Sequence, residues 1–275
     1  MRRETFAATE PIRLDLHVPA GEILVEAGDV TETTVELEPL GGDDSRAAVE
    51  EARVDFRDGL LVVDVAEQRG FRLFGRGAEV GLRVRCPRGS GLEISAASAD
   101  VKASGGFASA DVESASGDVE LGEVAGDAKV KAASGDLRLG AVGGSLRADA
   151  ASGDVEVERI GREAKVRTAS GDVAIGAAET SLTVQTASGD QRIGSITSGQ
   201  VSLRSASGDI WIGIRQGSAA WLDLASMSGE TTSDLEVGGA PPADTEEGPR
   251  VEVRAQSMSG DVHVARAAAV PDLDR

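Results

Sequence analysis

Tyrosine is absent from this chain of 275 residues, and the aromatic residues together make up 3% of it. A core without large rings is filled by Val, Leu, Ile and Ala, which suits thin layered structures better than a bulky globule. Cysteine occurs once, at Cys86, so no internal disulfide can form and the fold needs no oxidising compartment. No stretch reaches the roughly 18 consecutive apolar residues of a membrane span. The N-terminal MRRETFAATEPIRLDLHV holds no continuous apolar signal core, and the expectation is a cytoplasmic protein. Basic residues are few beside acids, 28 against 47 for a net charge of −19. Such a surface lacks the cations that displace counterions from phosphate, which argues against nucleic acid as a partner. The two histidines, His17 and His263, lie far apart in the chain. Neither has a Cys, His, Asp or Glu set at metal-ligand spacing, so no metal site and no cofactor are expected.

Glycine, by contrast, is abundant at 35 residues, and it recurs at fixed spacing. The motif Ser-Gly-Asp places its serine at Ser116, Ser134, Ser152, Ser170 and Ser188, with Ser98 before them as Ser-Ala-Asp, each 18 residues after the last. Ser207, Ser228 and Ser259 follow at steps of 19, 21 and 31. A fixed period of this length is the signature of a solenoid. Apolar pairs two apart follow each triplet (Val119/Leu121, Leu137/Leu139, Val155/Val157, Val173/Ile175) and precede it (Leu146/Ala148, Ala164/Val166, Leu182/Val184), with Gln191 a polar intruder. A period of two over such short runs means strand. Burying four or five small aliphatic side chains is worth roughly 6 to 12 kcal/mol. Ordering 18 residues costs on the order of 20 to 30 kcal/mol. One lap cannot fold alone, so laps must stack at ~4.8 Å, strand on equivalent strand.

The triplets Ser116-Gly117-Asp118, Ser134-Gly135-Asp136, Ser152-Gly153-Asp154, Ser170-Gly171-Asp172 and Ser188-Gly189-Asp190 then read as corners. Glycine supplies positive φ there, and Asp or Ser side chains bond nearby backbone N–H groups. The position two before each serine is always small, as a crowded inner corner demands. Calcium is the alternative reading of an aspartate column. Calcium-binding rolls, however, repeat every nine residues with paired glycines. Carboxylates ~5 Å apart in water repel by only about 1 kcal/mol, so the column needs no cation to exist.

Residues 1–97 read as less regular coils, with DDSRAAVEEARV forming a short helix near 43–54 that would shield an open sheet edge. Residues 98–266 hold the regular repeats, with a Pro- and acid-rich excursion near 236–250, and 267–275 form a tail. LRVRCPRGSGLEISAASADVKASG and the SASGDVELG series resemble the bacterial β-strand-repeat family known as domain of unknown function 4097, often labelled a "putative adhesin". The likeness spans roughly residues 10 to 265. It implies an all-β fold, a right-handed parallel β-solenoid, and carries no chemistry to individual residues.

No unique acid cluster or cleft-making insertion marks an active site, so no catalytic residue is assigned. Cys86 continues the alternation Leu82, Val84, Cys86 and reads as a core thiol. Outward positions before the triplets are mostly basic: Lys129, Lys131, Arg147, Lys165, Arg167 and Arg204. They form a candidate docking face for an unidentified protein or an anionic polymer. Glu120, Arg138 and Glu156 alternate in sign along the other run. Trp211 and Trp221 are a candidate contact patch. The expected function is a non-enzymatic scaffold or interaction module. The rival readings are a bactofilin-type polymer that self-associates through its end coils, and a carbohydrate-active β-helix enzyme.

Overall fold

The computed structural model describes residues 1–66, 78–235 and 248–267. It divides into two units, Met1–Gly144 and Ser145–Arg275. Each is a β-solenoid, and together they contain one helix among the described residues.

In unit 1, β1 (Arg2–Ala7) is followed by a long strand, β2 (Arg13–Gly28), in which Leu14, Leu16, Val18, Ile23 and Val25 alternate inward and are buried. Gly21, at φ +122°, lets β2 turn within itself, and a Cβ there would sit 2.2 Å from the carbonyl oxygen of Val80. Next come β3 (Glu32–Pro39), the helix α1 (Asp43–Glu51), β4 (Arg53–Arg57), β5 (Leu60–Asp64), β6 (Val80–Pro87) and a second bent strand, β7 (Gly91–Phe107). β2 is the hub: its first half pairs in parallel with β5 and β7, its second half with β6 and β7. Two laps follow, β8 (Ser109–Ser116) with β9 (Val119–Val124), and β10 (Ala128–Ser134) with β11 (Leu137–Val142). Their register is the one the period demands, with Val130 beside Val112 beside Ile94, and Leu139 beside Leu121 beside Ala103.

The N-terminal residues are more than irregular coils. β3 runs antiparallel to both β1 and β6, and β4 antiparallel to β5. The helix, with Asp43 and Asp44 in its first turn, buries Ser45, Ala48 and Val49 against β3 and β6. Because β3 lies between β1 and β6, the helix covers a sheet face; the edges it was expected to shield are instead formed by β1 and β4. Those strands, RRETFA and RVDFR, are dense in charge, which discourages edge-to-edge pairing. Phe6 and Phe56 meet with ring centroids 5.2 Å apart. The Arg2 guanidinium donates to the carbonyls of Val49 and Ala52 at the end of α1, where a cation satisfies orphan acceptors.

Unit 2 begins with three laps of one pattern: β12 (Leu146–Ser152) and β13 (Val155–Ile160), β14 (Ala164–Ser170) and β15 (Val173–Ala178), β16 (Leu182–Ser188) and β17 (Gln191–Ile196). A fourth, β18 (Gly199–Ser207) and β19 (Ile210–Ile214), stacks on them, β18 in register with β16, and β19 in register with β17 up to Ile193 and shifted by one residue at Ile196. Chain order then breaks. β20 (Ala219–Ser228) and β21 (Thr231–Ser233) come next in sequence, followed by β22 (Arg250–Ser259) and β23 (Val262–Arg266). Yet it is β22 that pairs with β18, and β20 pairs outside β22; likewise β23 lies between β19 and β21. The later lap is inserted beneath the earlier one, which corrects the expectation that laps stack in sequence order. The proposed excursion and tail lie outside the described residues over 236–247 and 268–275.

Candidate interaction surface

The corner column is built from backbone first. Gly117, Gly135, Gly153, Gly171, Gly189, Gly208 and Gly260 all have φ between +111° and +141°, a region that only glycine enters without strain. Close approach adds a second demand: a Cβ on Gly189 would sit 2.1 Å from the carbonyl oxygen of Gly171. In the earliest lap, where alanine replaces this glycine, Ala99 lies within the continuous strand β7 and its φ is not positive.

The aspartates do something the sequence reading missed. Instead of bonding only within their own turn, aspartates within each unit accept the backbone N–H of the aspartate one lap on. Asp100 Oδ1 accepts from Asp118 N at 3.0 Å and Asp118 Oδ1 from Asp136 N at 2.9 Å. In unit 2, Asp154 accepts from Asp172, Asp172 from Asp190, Asp190 from Asp209 and Asp209 from Asp261, all at 2.8 to 2.9 Å. The series ends when Asp261 accepts from Glu230 N at 2.8 Å. Glu230 stands in the outermost lap, where no further N–H among the described residues calls for an aspartate. Arginines two residues on reach the other carboxylate oxygen, Arg138 to Asp136 at 3.0 Å and Arg192 to Asp190 at 3.1 Å.

The small residues at the inner corner include hydroxyls that answer corner carbonyls. Ser114 donates to Ser116 O and Thr168 to Ser170 O. Gln191, the polar intruder, is fully buried, and its Nε2 donates to Thr186 Oγ1 and Arg204 O.

The candidate basic face is largely self-neutralised at its start. Lys129 pairs with Asp111 at 2.8 Å, and Lys131 pairs with Glu113. Asp111 pushes the Lys129 ammonium up from its usual range, chiefly by accepting its hydrogen bond, and Lys131 holds the Glu113 carboxyl below the usual range. Arg147 pairs with Asp149 at 2.8 Å, and Arg167 lies 3.7 Å from the same carboxylate. Lys165 and Arg204 have no ion-pair partner among the described residues. On the other run Glu120 stands opposite Arg138 in register. Glu120 nevertheless pairs with Lys102 at 2.8 Å, while Arg138 turns sideways to the aspartates.

The structure does not bring the tryptophans together. Trp211 is on β19, under the Arg192 guanidinium at 4.7 Å and opposite His263 in register. Trp221 is on β20, on the other run of the lap, with Arg254 at 5.8 Å. His263 gathers partners that its sequence neighbourhood does not supply. Its Nδ1 lies 2.8 Å from Thr232 Oγ1 and its Nε2 3.4 Å from Asp234 Oδ2. The lap inversion brings these together, and with Asp234 68% exposed they tie β21 to β23. No group of three His, Cys, Asp or Glu suited to a metal occurs among the described residues. His17 sits on β2 beside Asp64 and Ser95 in register. Cys86 is buried, as expected, and burial pushes its thiol up to about 11 against the opposing hydrogen bond of Ser90.

A family pattern described as Toastrack, domain of unknown function 4097, matches residues 14–163 and again 161–265. The chain belongs to the Toastrack family. Solved structures of low sequence identity are similar to this chain over nearly its whole length. A "putative adhesin" from Bacteroides fragilis is 13% identical, with 96% of each chain covered and a TM-score of 0.45. Another from Parabacteroides merdae is 12% identical, with 96% of this chain and 95% of that one covered and a TM-score of 0.37. A "putative lipid binding protein" from Parabacteroides distasonis is 12% identical, with 96% of each chain covered and a TM-score of 0.35. No curated protein matches this Toastrack chain. No helix among the described residues is long and apolar enough to cross a membrane.

Proposed function

We propose that this Toastrack chain is a non-enzymatic interaction scaffold whose unit 2 offers a flat row of cations to an acidic protein segment or an anionic polymer. One observation carries the reading. In a chain of net charge −19, Lys165 and Arg204 are left without a counter-ion among the described residues. Arg167, Gln185 and Arg204 follow one another in register on β14, β16 and β18. Arg167 and Arg204 are therefore about 10 Å apart, two strand spacings. The repeat aspartates support the same reading from the other side, because their carboxylates are occupied in holding the next lap.

The test is retention on immobilised polyglutamate. The triple variant Lys165→Glu, Arg167→Glu, Arg204→Glu is expected to bind at least about tenfold more weakly, with the wild-type interaction weakening as salt rises. Reversal of Arg138 and Arg192, which are already paired with aspartates, is the control and should leave retention near wild type. Equal retention of the triple variant and wild type would remove the proposal.

A further inference from the structure

Among the described residues the outermost lap of unit 2 is open: β20 pairs with β22 alone. Its inward leucines, Leu222 and Leu224, are only partly buried. Leu182, Val184, Val201, Leu203, Val253 and Ala255, in the same two columns, are exposed by 1% or less. On the outward side Trp221 is 54% and Met227 79% exposed. The strand AAWLDLASMS carries one charge, Asp223, and no proline or lysine. It thus lacks the proline and the dense charge by which sheet edges discourage pairing.

The edge also has a definite polarity. Ala219 N–H donates to Pro249 O, toward β22. Successive residues of a strand point their N–H and C=O groups to alternate sides, so those of Ala220, Leu222, Leu224 and Ser226 face the open edge.

We propose that two copies of this chain join through β20, paired antiparallel about a two-fold axis at Leu224. That register opposes Leu224 to the partner's Leu224 and Leu222 to the partner's Ser226, as hydrogen-bonded pairs that each exchange two bonds. Their side chains lie on the core face, so both open cores close together. On the outward face the register sets Trp221 beside the partner's Met227, a favourable sulfur–aromatic contact. It sets Asp223 beside the partner's Ala225. Moving the axis to Asp223 would oppose like charges, which cross-strand pairing disfavours. The contact is isologous and closes at two copies, so it builds a dimer and no filament.

Sedimentation velocity measures the association, and Ala225 tests its register. Ala225→Lys places an ammonium opposite the partner's Asp223 and is expected to tighten the dimer about tenfold; Ala225→Glu is expected to weaken it about tenfold. The same two changes at Gln185, outward in an inner lap, should alter neither. Circular dichroism confirms that each variant is folded. In a second arm, Leu224→Cys is oxidised. Its Cα should lie about 5.5 Å from its equivalent, within disulfide range, so a covalent dimer is expected, with the buried Cys86 of wild type as the silent control. A wild-type chain that stays monomeric at every concentration overturns the proposal. So does a dimer indifferent to Ala225 in which Leu224→Cys does not cross-link, and so does a monomer whose β20 is captured only by a strand of another protein.

Discussion

Replacing Gly189 with alanine is expected to cost about 4 kcal/mol of stability, measured by urea unfolding. Two effects add at this residue. Its φ of +134° lies where an L side chain is strained, and its Cβ would stand 2.1 Å from Gly171 O and 2.6 Å from Gly171 C. The obstacle is backbone, which cannot swing aside as a side chain can. Relief requires the two laps to separate, stretching the bond from Asp190 N to Asp172 Oδ1. Gly217 separates the two effects, since its φ is +85° but nothing lies within 4 Å of its Cβ position. Gly217→Ala should therefore cost only about 1 to 2 kcal/mol, the strain alone. Equal costs at the two sites would mean that close stacking of the corners contributes nothing.

The second large effect tests the lap inversion. Leu182 and Leu222 occupy one column, running Leu182, Val201, Val253, Leu222 through the register of β16, β18, β22 and β20. Leu182 is fully buried and Leu222 is not. Leu182→Ala should cost about 3 to 4 kcal/mol, the lost transfer energy plus the cavity. In the monomer, at concentrations too low for pairing through β20, Leu222→Ala should cost about 1 kcal/mol, because its site is there partly open to water. Had the laps stacked in chain order, β20 would lie between β18 and β22, and Leu222 would be as costly to truncate as Leu182. Chemical unfolding of both variants distinguishes the arrangements.

Much of this architecture was legible because an 18-residue period and a strand period of two leave little freedom of register. Val112 and Val130 are neighbours because nothing else aligns the columns. The same period carried information that went unread: Lys129 and its partner Asp111 are one lap apart, as are successive aspartates of the hydrogen-bonded series. A cross-lap partner is visible in sequence only when residues are compared at the repeat spacing, as Glu120, Arg138 and Glu156 are, and the basic run shows its partners only when Asp111 and Glu113 are set beside Lys129 and Lys131. The inversion of the last two laps was harder to see. VEVRAQSMSGD and WLDLASMSGE have nearly the same apolar spacing, so the pattern fits either position in the stack. Two cues remain, the step of 31 residues between Ser228 and Ser259, and glutamate at 230 where other laps have aspartate. The second becomes intelligible once each aspartate is seen to serve the next lap, since the outermost lap has none to serve. The antiparallel strands β1, β3 and β4 carry no triplet, and alternation alone is silent on strand direction.

The central claim is that the repeated triplet is scaffolding, with each aspartate oxygen holding the next lap's N–H. Its most direct test replaces Asp118, Asp136, Asp172, Asp190 and Asp209 together by asparagine and follows thermal unfolding with calcium and with chelator. Asparagine Oδ1 accepts the same N–H, and only exposed ion pairs are lost. The melting temperature should therefore stay within about 5 °C of wild type and be indifferent to calcium. A chain that unfolds on this substitution, or a wild type whose melting temperature rises with calcium and falls with chelator, would show that the carboxylates act through their charge and contradict the account.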